Sequence, residues 1–368
     1  MTASSLSLRA LNRATLARQV LLAREAESPL APLAVTERLV GLQAQWPRPP
    51  FLGLWSRIEG FRREDLHRLL HDRAVVRATF LRGTLHLVAA QDYLILRAAL
   101  QPLLTRGMHA ILRQRAVILD EADLAAAARV RLQEEPRTFE DLRDYLVSRD
   151  PEGDERAMGY AVRMTLPLVM VPTDDPWGFP TVSRFALAES WLGAPLHPDD
   201  GPAALVLRYL AAFGPASVAD AQNWSGFQKL REVFEALRPR LLTFRDERKR
   251  ELFDLPEAPR PPEDTPAPVR FLPEFDNLVL GHDDRKRFVA DEHRSSVYLP
   301  GLRVAPTFLV DGFVAGTWKL ERKKGTATLA VEPFGKLSKS VQADLTDEAG
   351  RLVRFAEPDA KSHDVRIG

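Results

Sequence analysis

Apolar residues recur at helical spacing in several stretches of the chain. In the first of these, Val35, Leu39 and Leu42 are spaced by four and then three residues, which predicts the apolar face of an amphipathic helix. Pro47 biases Trp46 away from the α region, so we expect this helix to stop before Pro47. The polar segment that follows Leu42 should therefore have an extended backbone.

Helical segments that lead into a turn-punctuated apolar stretch occur three times. Thr138 and Ser217 are predicted N-caps in the second and third repeats, and Arg82-Gly83 is the predicted turn of the first hairpin. The predicted hairpins are VVRATFLRGTLHLV, LVMVPTDDPWGFPTVSRFALA and LLTFRDERKRELFDL. Helices followed by a hairpin in this order are the winged-helix arrangement, so we predict three such units in tandem.

The end of the chain has a different pattern. Residues 256–268, PEAPRPPEDTPAP, contain too many prolines for a helix or a central strand and predict a semi-rigid linker. Beyond them, apolar and polar positions alternate between glycine turns, which predicts an antiparallel sheet or small barrel. We therefore predict an α+β protein with winged helices at 1–91, 92–198 and 199–255, the linker, and a C-terminal antiparallel, β-barrel-like domain at 269–368.

Composition is that of an ordinary globular protein, but the charge is unevenly distributed. The 368 residues are 45% hydrophobic and 27% charged, with a net charge of +1. Residues 1–119 hold 17 Arg, no Lys and 8 acidic residues, a balance of +9, whereas the remainder has 34 basic and 42 acidic residues, or −8. An arginine-rich region suits phosphate binding, although solvated helix faces and a GC-rich genome explain the arginines equally well.

Several classes of protein are disfavoured by the sequence. Cysteine is absent, which excludes disulfides, Fe–S clusters and thiolate zinc sites. No stretch of about 18 apolar residues occurs, and the N-terminus lacks a signal-peptide core, so we expect a cytoplasmic, nucleoid-associated protein. Nucleotide-binding glycine loops and the serine nucleophile elbow are also absent.

The segment Gln43-Ala44-Gln45 places two neutral amides at the predicted helix end. On a continuous helix the two side chains would be about 200° apart, whereas in an extended backbone they lie on one side. An amide can position a water molecule and accept a hydrogen bond from it, but it is a weak base. For an arbitrary three-residue pattern, a polar helix end remains the more common explanation.

The wider sequence resembles the AlkZ-like DNA glycosylases of the winged-helix family, whose signature is Gln, an aliphatic residue and Gln. The resemblance rests on LVGLQAQWPRPPFLGLWSRI, LRGTLHLVAAQDY, GPASVADAQNWSG (214–226), FLPEFDNLVLGHDDR (271–285) and VDGFVAGTWKL (310–320). The related YcaQ-like branch has Asp at the second glutamine position, so Gln45 is typical of the AlkZ-like branch. The resemblance covers nearly the whole chain.

This resemblance implies a DNA glycosylase that excises N7-alkylated purines from double-stranded DNA, extending to bulky adducts and interstrand crosslinks. Gln43 and Gln45 are then the catalytic residues that position the attacking water. No lysine precedes Lys229 as a Schiff-base nucleophile near the glutamines, which predicts a monofunctional enzyme. We expect no metal, no cofactor and a monomer.

Five residues are candidates for DNA contact. Arg82, Thr84 and His86 alternate and would share one face of a regular strand, next to the arginine-rich region. Trp46 and Arg48 directly follow the glutamines. The alternative function is a non-enzymatic winged-helix DNA-binding protein such as a transcriptional regulator, because this fold alone does not separate the two.

Overall fold

The computed structural model describes residues 5–199 and 201–368 and has a mixed α+β fold. The elements of the first part are β1 (Ser5–Leu6), α1 (Leu8–Arg18), α2 (Ala31–Arg38), β2 (Leu42–Gln43), α3 (Arg48–Trp55), α4 (Arg63–His71), β3 (Val75–Thr79) and β4 (Leu85–Ala89). The second part contains α5 (Ala90–Gln114), α6 (Glu121–Glu134), β5 (Arg137–Thr138), α7 (Phe139–Arg149), α8 (Glu155–Thr165), β6 (Leu168–Met170), β7 (Arg184–Leu187) and α9 (Ala188–Leu192).

The third part contains α10 (Ala203–Phe213), α11 (Val218–Ser225), α12 (Arg231–Leu237), β8 (Leu242–Asp246) and β9 (Glu251–Asp254). The C-terminal part contains β10 (Arg270–Leu272), α13 (Asn277–Leu280), α14 (Arg294–Val297), β11 (Tyr298–Leu299), β12 (Arg303–Val304), β13 (Thr307–Val310), β14 (Phe313–Lys323), β15 (Thr326–Pro333), α15 (Lys339–Ala356) and β16 (Ser362–Ile367). None of the helices in the described residues has the length and apolar character needed to cross a membrane.

One order of elements recurs three times along the chain. It consists of a helix, a short strand or bridge residue, two further helices and a β-hairpin. The helices that open the repeats are α2, α6 and α10, and the short strands are β2, β5 and the bridge of Ala216 to Phe253. Thr138 and Ser217 cap α7 and α11 as predicted, each in a capping box with an aspartate three residues later.

The first two hairpins form one continuous sheet with the strand order β2-β4-β3-β6-β7-β5. Its two halves join where β3 pairs antiparallel with β6, through Arg77 opposite Met170 and Ala78 opposite Val169. A hydrophobic core covers each face of this sheet. The predicted boundary between residues 91 and 92 therefore does not separate two independently packed units.

The main contacts of the helix α1 are outside the first repeat. The helix lies against α10 and the turn at 285–287, and Asn12 donates hydrogen bonds to the carbonyls of Arg287 and Gly312, at 3.0 and 2.8 Å. The proline-rich segment 256–268 has neither helix nor strand and runs along α1. There Arg13 Nε donates to the Thr265 carbonyl at 2.7 Å, so the segment is packed against the protein instead of spanning solvent.

The C-terminal sheet has the order β10-β13-β14-β15-β16 and is covered by α15. Our expectation of an antiparallel, barrel-like domain is wrong in two respects. The pair β15–β16 is parallel, because α15 carries the chain back along the sheet before the last strand begins. The sheet is also open, with β10 and β16 at its edges.

Candidate active site

The helix that precedes the glutamines ends earlier than its apolar spacing suggested. It stops at Arg38, and Val40 and Gly41 have φ values of 58° and 91°. A Cβ on Gly41 would lie 2.8 Å from the Leu87 carbonyl oxygen, so glycine is required at this turn. Leu42 consequently belongs to β2 and not to the helix.

Gln43 is the last residue of the edge strand β2, and Gln45 lies two residues later in the bend that leads to α3, so the strand predicted for both glutamines does not extend to Gln45. Gln43 is opposite His86 in β4, and Ala44, between the glutamines, is fully buried in a hydrophobic core. Gln43 is 8% exposed, whereas Gln45 is exposed just beyond the last paired residue of β2. Both glutamines therefore lie against the start of β4, Gln43 opposite His86 and Gln45 in contact with the Leu85 backbone, but Gln43 is buried and Gln45 is accessible.

The amide of Gln43 is oriented by Arg82. Arg82 Nη2 donates to Gln43 Oε1 at 2.8 Å, and Nη1 donates to the carbonyl of Trp224 at the end of α11. A guanidinium only donates hydrogen bonds, so the oxygen of the amide must face it. Burial, with a smaller contribution from Arg285, lowers the pKa of Arg82 to about 10, which leaves it charged at neutral pH.

A second arginine shapes the backbone between the glutamines. Arg77 of β3 is buried and donates from Nε to the Ala44 carbonyl at 2.9 Å and from Nη2 to the Gln45 carbonyl at 3.1 Å. The Ala44 carbonyl accepts from Arg77, and the backbone N–H of Leu85 donates to Gln45 Oε1 at 3.4 Å. Gln45 is thus weakly held and retains acceptor capacity.

Our sequence reasoning missed Arg77. The sequence indicated a special role for this residue, because it is a charged side chain in the middle of the apolar segment VVRATF. A charged residue in a buried strand requires hydrogen-bonding partners. Burial, together with the nearby charge of Arg163, lowers its pKa to about 10. Arg77 therefore remains a cation at neutral pH, as its two carbonyl partners require.

The predicted alternation of Arg82, Thr84 and His86 on a regular strand is wrong. Arg82 lies in the turn before β4 with φ 54°, and Thr84 precedes the strand with its hydroxyl bonded to the Leu81 carbonyl at 3.1 Å. His86 is in β4, 2% exposed, and burial lowers its pKa to about 3. It is a neutral interior residue across from Gln43, so its position does not favour direct contact with DNA.

The two other candidates for DNA contact differ in accessibility. Trp46 is 62% exposed beside Gln45. Arg48 begins α3 and is half-buried, with its guanidinium 5.4 Å from the ring centre of Trp177. Burial lowers the pKa of Arg48. Contact of these residues with DNA remains a prediction.

Segments from distant parts of the sequence support this edge. Asn277 Nδ2 donates to the Gly41 carbonyl at 2.5 Å, which fixes the turn before β2. Arg57, near the end of α3, forms a buried ion pair with Asp276 at 2.8 Å. Together with the Trp224 carbonyl, these contacts bring the segments 214–226 and 271–285 to the glutamines.

The arginine excess of the first 119 residues is not a measure of surface charge. Four of these arginines, Arg13, Arg18, Arg57 and Arg97, are at most 1% exposed. Arg18 is paired with buried Asp254 of the third repeat at 2.6 Å. Part of the basic N-terminal third thus neutralises acidic residues of the C-terminal two thirds inside the protein.

Within the described part of the chain, no three His, Asp or Glu side chains are grouped to hold a metal ion.

Comparisons with known proteins agree with this architecture. The profile of the family "DNA glycosylase AlkZ-like" matches residues 36–355. An interstrand DNA cross-link repair glycosylase of Streptomyces sahachiroi is 28% identical over 352 residues, which cover 87% of this chain and 89% of that protein. The solved structure of the S. sahachiroi DNA glycosylase AlkZ matches with a TM-score of 0.80 and 25% identity, over 99% of this chain and 100% of that one. The chain therefore belongs to the family of AlkZ-like DNA glycosylases.

Proposed function

We propose that this protein is a monofunctional DNA glycosylase that hydrolyses the N-glycosidic bond of N7-alkylated purines in double-stranded DNA. The observation that carries the proposal is that both amides lie against the start of β4 at the sheet edge, Gln43 opposite His86 and Gln45 in hydrogen-bond contact with Leu85. We further infer that the three repeated units are winged helices and that the protein acts as a monomer on DNA in the bacterial nucleoid.

The chemistry of the site suits a leaving group that needs little acid assistance. Among the described residues, no carboxylate hydrogen-bonds to Gln43 or Gln45, whose side-chain contacts are with Arg82 and the Leu85 backbone. A neutral purine leaves poorly, whereas an N7-alkylated purine is cationic and becomes neutral when the bond electrons return to it. Such a substrate requires mainly a correctly placed water, which amides can provide.

The hydrogen bonds define a role for each glutamine. Arg82 occupies one acceptor position of Gln43 Oε1, and a carbonyl oxygen has two lone pairs, so a second position remains. Within the described ranges, the hydrogen bond found for Gln45 Oε1 is the long one from the Leu85 backbone. A water that donates one hydrogen to each oxygen directs its own lone pair to C1′. As the water oxygen bonds to C1′, the C1′–N9 bond breaks, and the water proton passes to solvent.

The related S. sahachiroi protein is named as an interstrand crosslink repair glycosylase, which supports extending the proposed substrates to bulky adducts and crosslinks. Monofunctional action is supported by the absence of lysine before residue 229. A reaction on 7-methylguanine DNA should leave intact strands with alkali-labile abasic sites. Strand breaks without alkali, or trapping of the protein on DNA by borohydride, would contradict monofunctional action.

The decisive test measures release of 7-methylguanine from a duplex under single-turnover conditions. We expect Gln43→Ala and Gln45→Ala each to slow release, and the double variant to abolish it, while duplex binding is retained. Gln133→Ala, on the exposed surface of α6, is the matched control. Release by the double variant would remove the proposed roles, and binding without release by the wild type would favour a non-enzymatic DNA-binding protein.

A further inference from the structure

A cleft of about 280 Å³ is lined in part by Arg82, the residue that also hydrogen-bonds to Gln43. It is formed where the first hairpin turn, α5, α8 and the end of α11 meet. Arg82, Arg106, Tyr160 and Gln228 supply its polar groups, and the rest of the lining, which we call the floor, is small and apolar. The residues of the floor are Gly83, Leu103, Leu104, Gly107, Ala110, Met164 and Gly226.

The cleft is held open by glycines and by two arginines. Arg82 donates to the Trp224 carbonyl and Arg106 donates to the Gly226 carbonyl, so both guanidiniums bind the C-terminal end of α11, where cations are favourable. Gly226 has φ 85°, and a Cβ there would lie 3.3 Å from Arg82 Cγ and 3.1 Å from Leu103 Cδ1. A side chain at this position would push Arg82 away from Gln43.

Arg82 connects the cleft to Gln43. Arg82 contacts Gln43 Oε1 at 2.8 Å and also lines the cleft. Arg106 also lines a second, wider groove along α5, together with Thr105, His109 and Arg113. A group attached to a base beside Gln43 would therefore meet the cleft at Arg82.

Volume indicates what kind of group fits. A cavity of about 150 Å³ holds benzene, and a methyl group is close in size to a water, which occupies about 30 Å³. A methyl substituent would leave most of the 280 Å³ unfilled, whereas an aromatic or fused-ring substituent would contact the leucine, methionine and glycine floor. We propose that this cleft is the subsite for the bulky apolar substituent of an N7 adduct, an inference that rests on the proposed glycosylase function.

The subsite is tested by filling it at Gly107. A Cβ at this α5 position would have no heavy atom within 4 Å, so Gly107→Phe can fold, and its ring would occupy the cleft. Release of base is compared for duplexes that carry one 7-benzylguanine or one 7-methylguanine, each corrected for spontaneous loss. Gly107→Phe should slow release of 7-benzylguanine about tenfold or more and change release of 7-methylguanine less than about twofold.

A matched control keeps the result specific. Gly335→Phe adds the same ring at another open glycine that does not line the cleft, and it should leave the two rates unchanged. Equal slowing of both substrates by Gly107→Phe, or no slowing of either, would overturn the subsite. A wild type that releases 7-methylguanine but not 7-benzylguanine would refute the subsite alone, whereas release of neither would refute the glycosylase function and the subsite with it.

Discussion

Replacing Arg82 by methionine should slow release of 7-methylguanine about tenfold to a hundredfold while the protein remains folded. The substitution removes the 2.8 Å hydrogen bond that orients the Gln43 amide. A hydrogen bond to a charged group contributes about 1.5–3 kcal/mol, and each 1.36 kcal/mol of barrier is about tenfold in rate. The free energy of unfolding should change less than the activation free energy of base release. Burial disfavours the charged form of Arg82 and lowers its pKa to about 10, which offsets part of the stabilisation from its hydrogen bonds.

The assay compares single-turnover release with duplex affinity measured by fluorescence anisotropy. A positioning role predicts a lower rate with little change in Kd, and an intermediate rate for Arg82→Lys, because an ammonium group lacks the fork that spans both acceptors. Arg106→Met is the matched control, since Arg106 also binds the end of α11 but does not touch Gln43. A folded Arg82→Met variant with a wild-type rate, or equal loss in Arg106→Met, would refute the role of Arg82 in orienting Gln43.

Three further predictions concern stability and DNA binding. The pKa of His86 is lowered from 6.5 to about 3, so the unfolded state takes up a proton at a higher pH than the folded state does. The free energy of unfolding should therefore drop by up to about 1.4 kcal/mol per pH unit as the pH falls from 6.5 to 3, and His86→Asn should reduce that slope in urea titrations. Arg57→Met leaves Asp276 buried without its partner and should cost about 3–5 kcal/mol in chemical denaturation, part of which Arg57→Met/Asp276→Leu should restore; an unchanged midpoint for the single variant would contradict this. Trp46→Ala should leave the melting temperature unchanged but weaken duplex binding by about 1–3 kcal/mol, and an unaltered Kd would exclude base stacking by this exposed ring.

Net charge alone is a poor guide to where this protein binds DNA. The basic excess of residues 1–119 suggested a phosphate-binding surface, yet Arg18 and Arg57 are fully buried with Asp254 and Asp276 as partners. A sequence shows which residues are charged but not which ones meet across some 200 positions of chain. The arginines that matter most at the site, Arg77 and Arg82, are likewise defined by the carbonyl oxygens they bind.

Local features were accessible from the sequence because the interactions that create them span only a few residues. The caps at Thr138 and Ser217 and the turn at Arg82 have the predicted places, since a capping box and a tight hairpin depend on neighbours within about four positions. The same holds for the extended backbone at Gln43, although β2 ends there and Gln45 lies in the bend that follows. The helix α3 was not predicted; its prolines lie in the first turn, where proline is compatible with a helix.

Only the tertiary structure decided how these pieces are combined. The pairing of β3 with β6, the docking of α1 against α10 and the parallel last strand join segments that no local periodicity connects. The burial of His86 follows from that packing, as does the contact of Arg82 with both Gln43 and Trp224. Amino-acid pattern thus determined which local conformations were favourable, whereas the burial of apolar surface between distant segments determined which side chains surround the two amides.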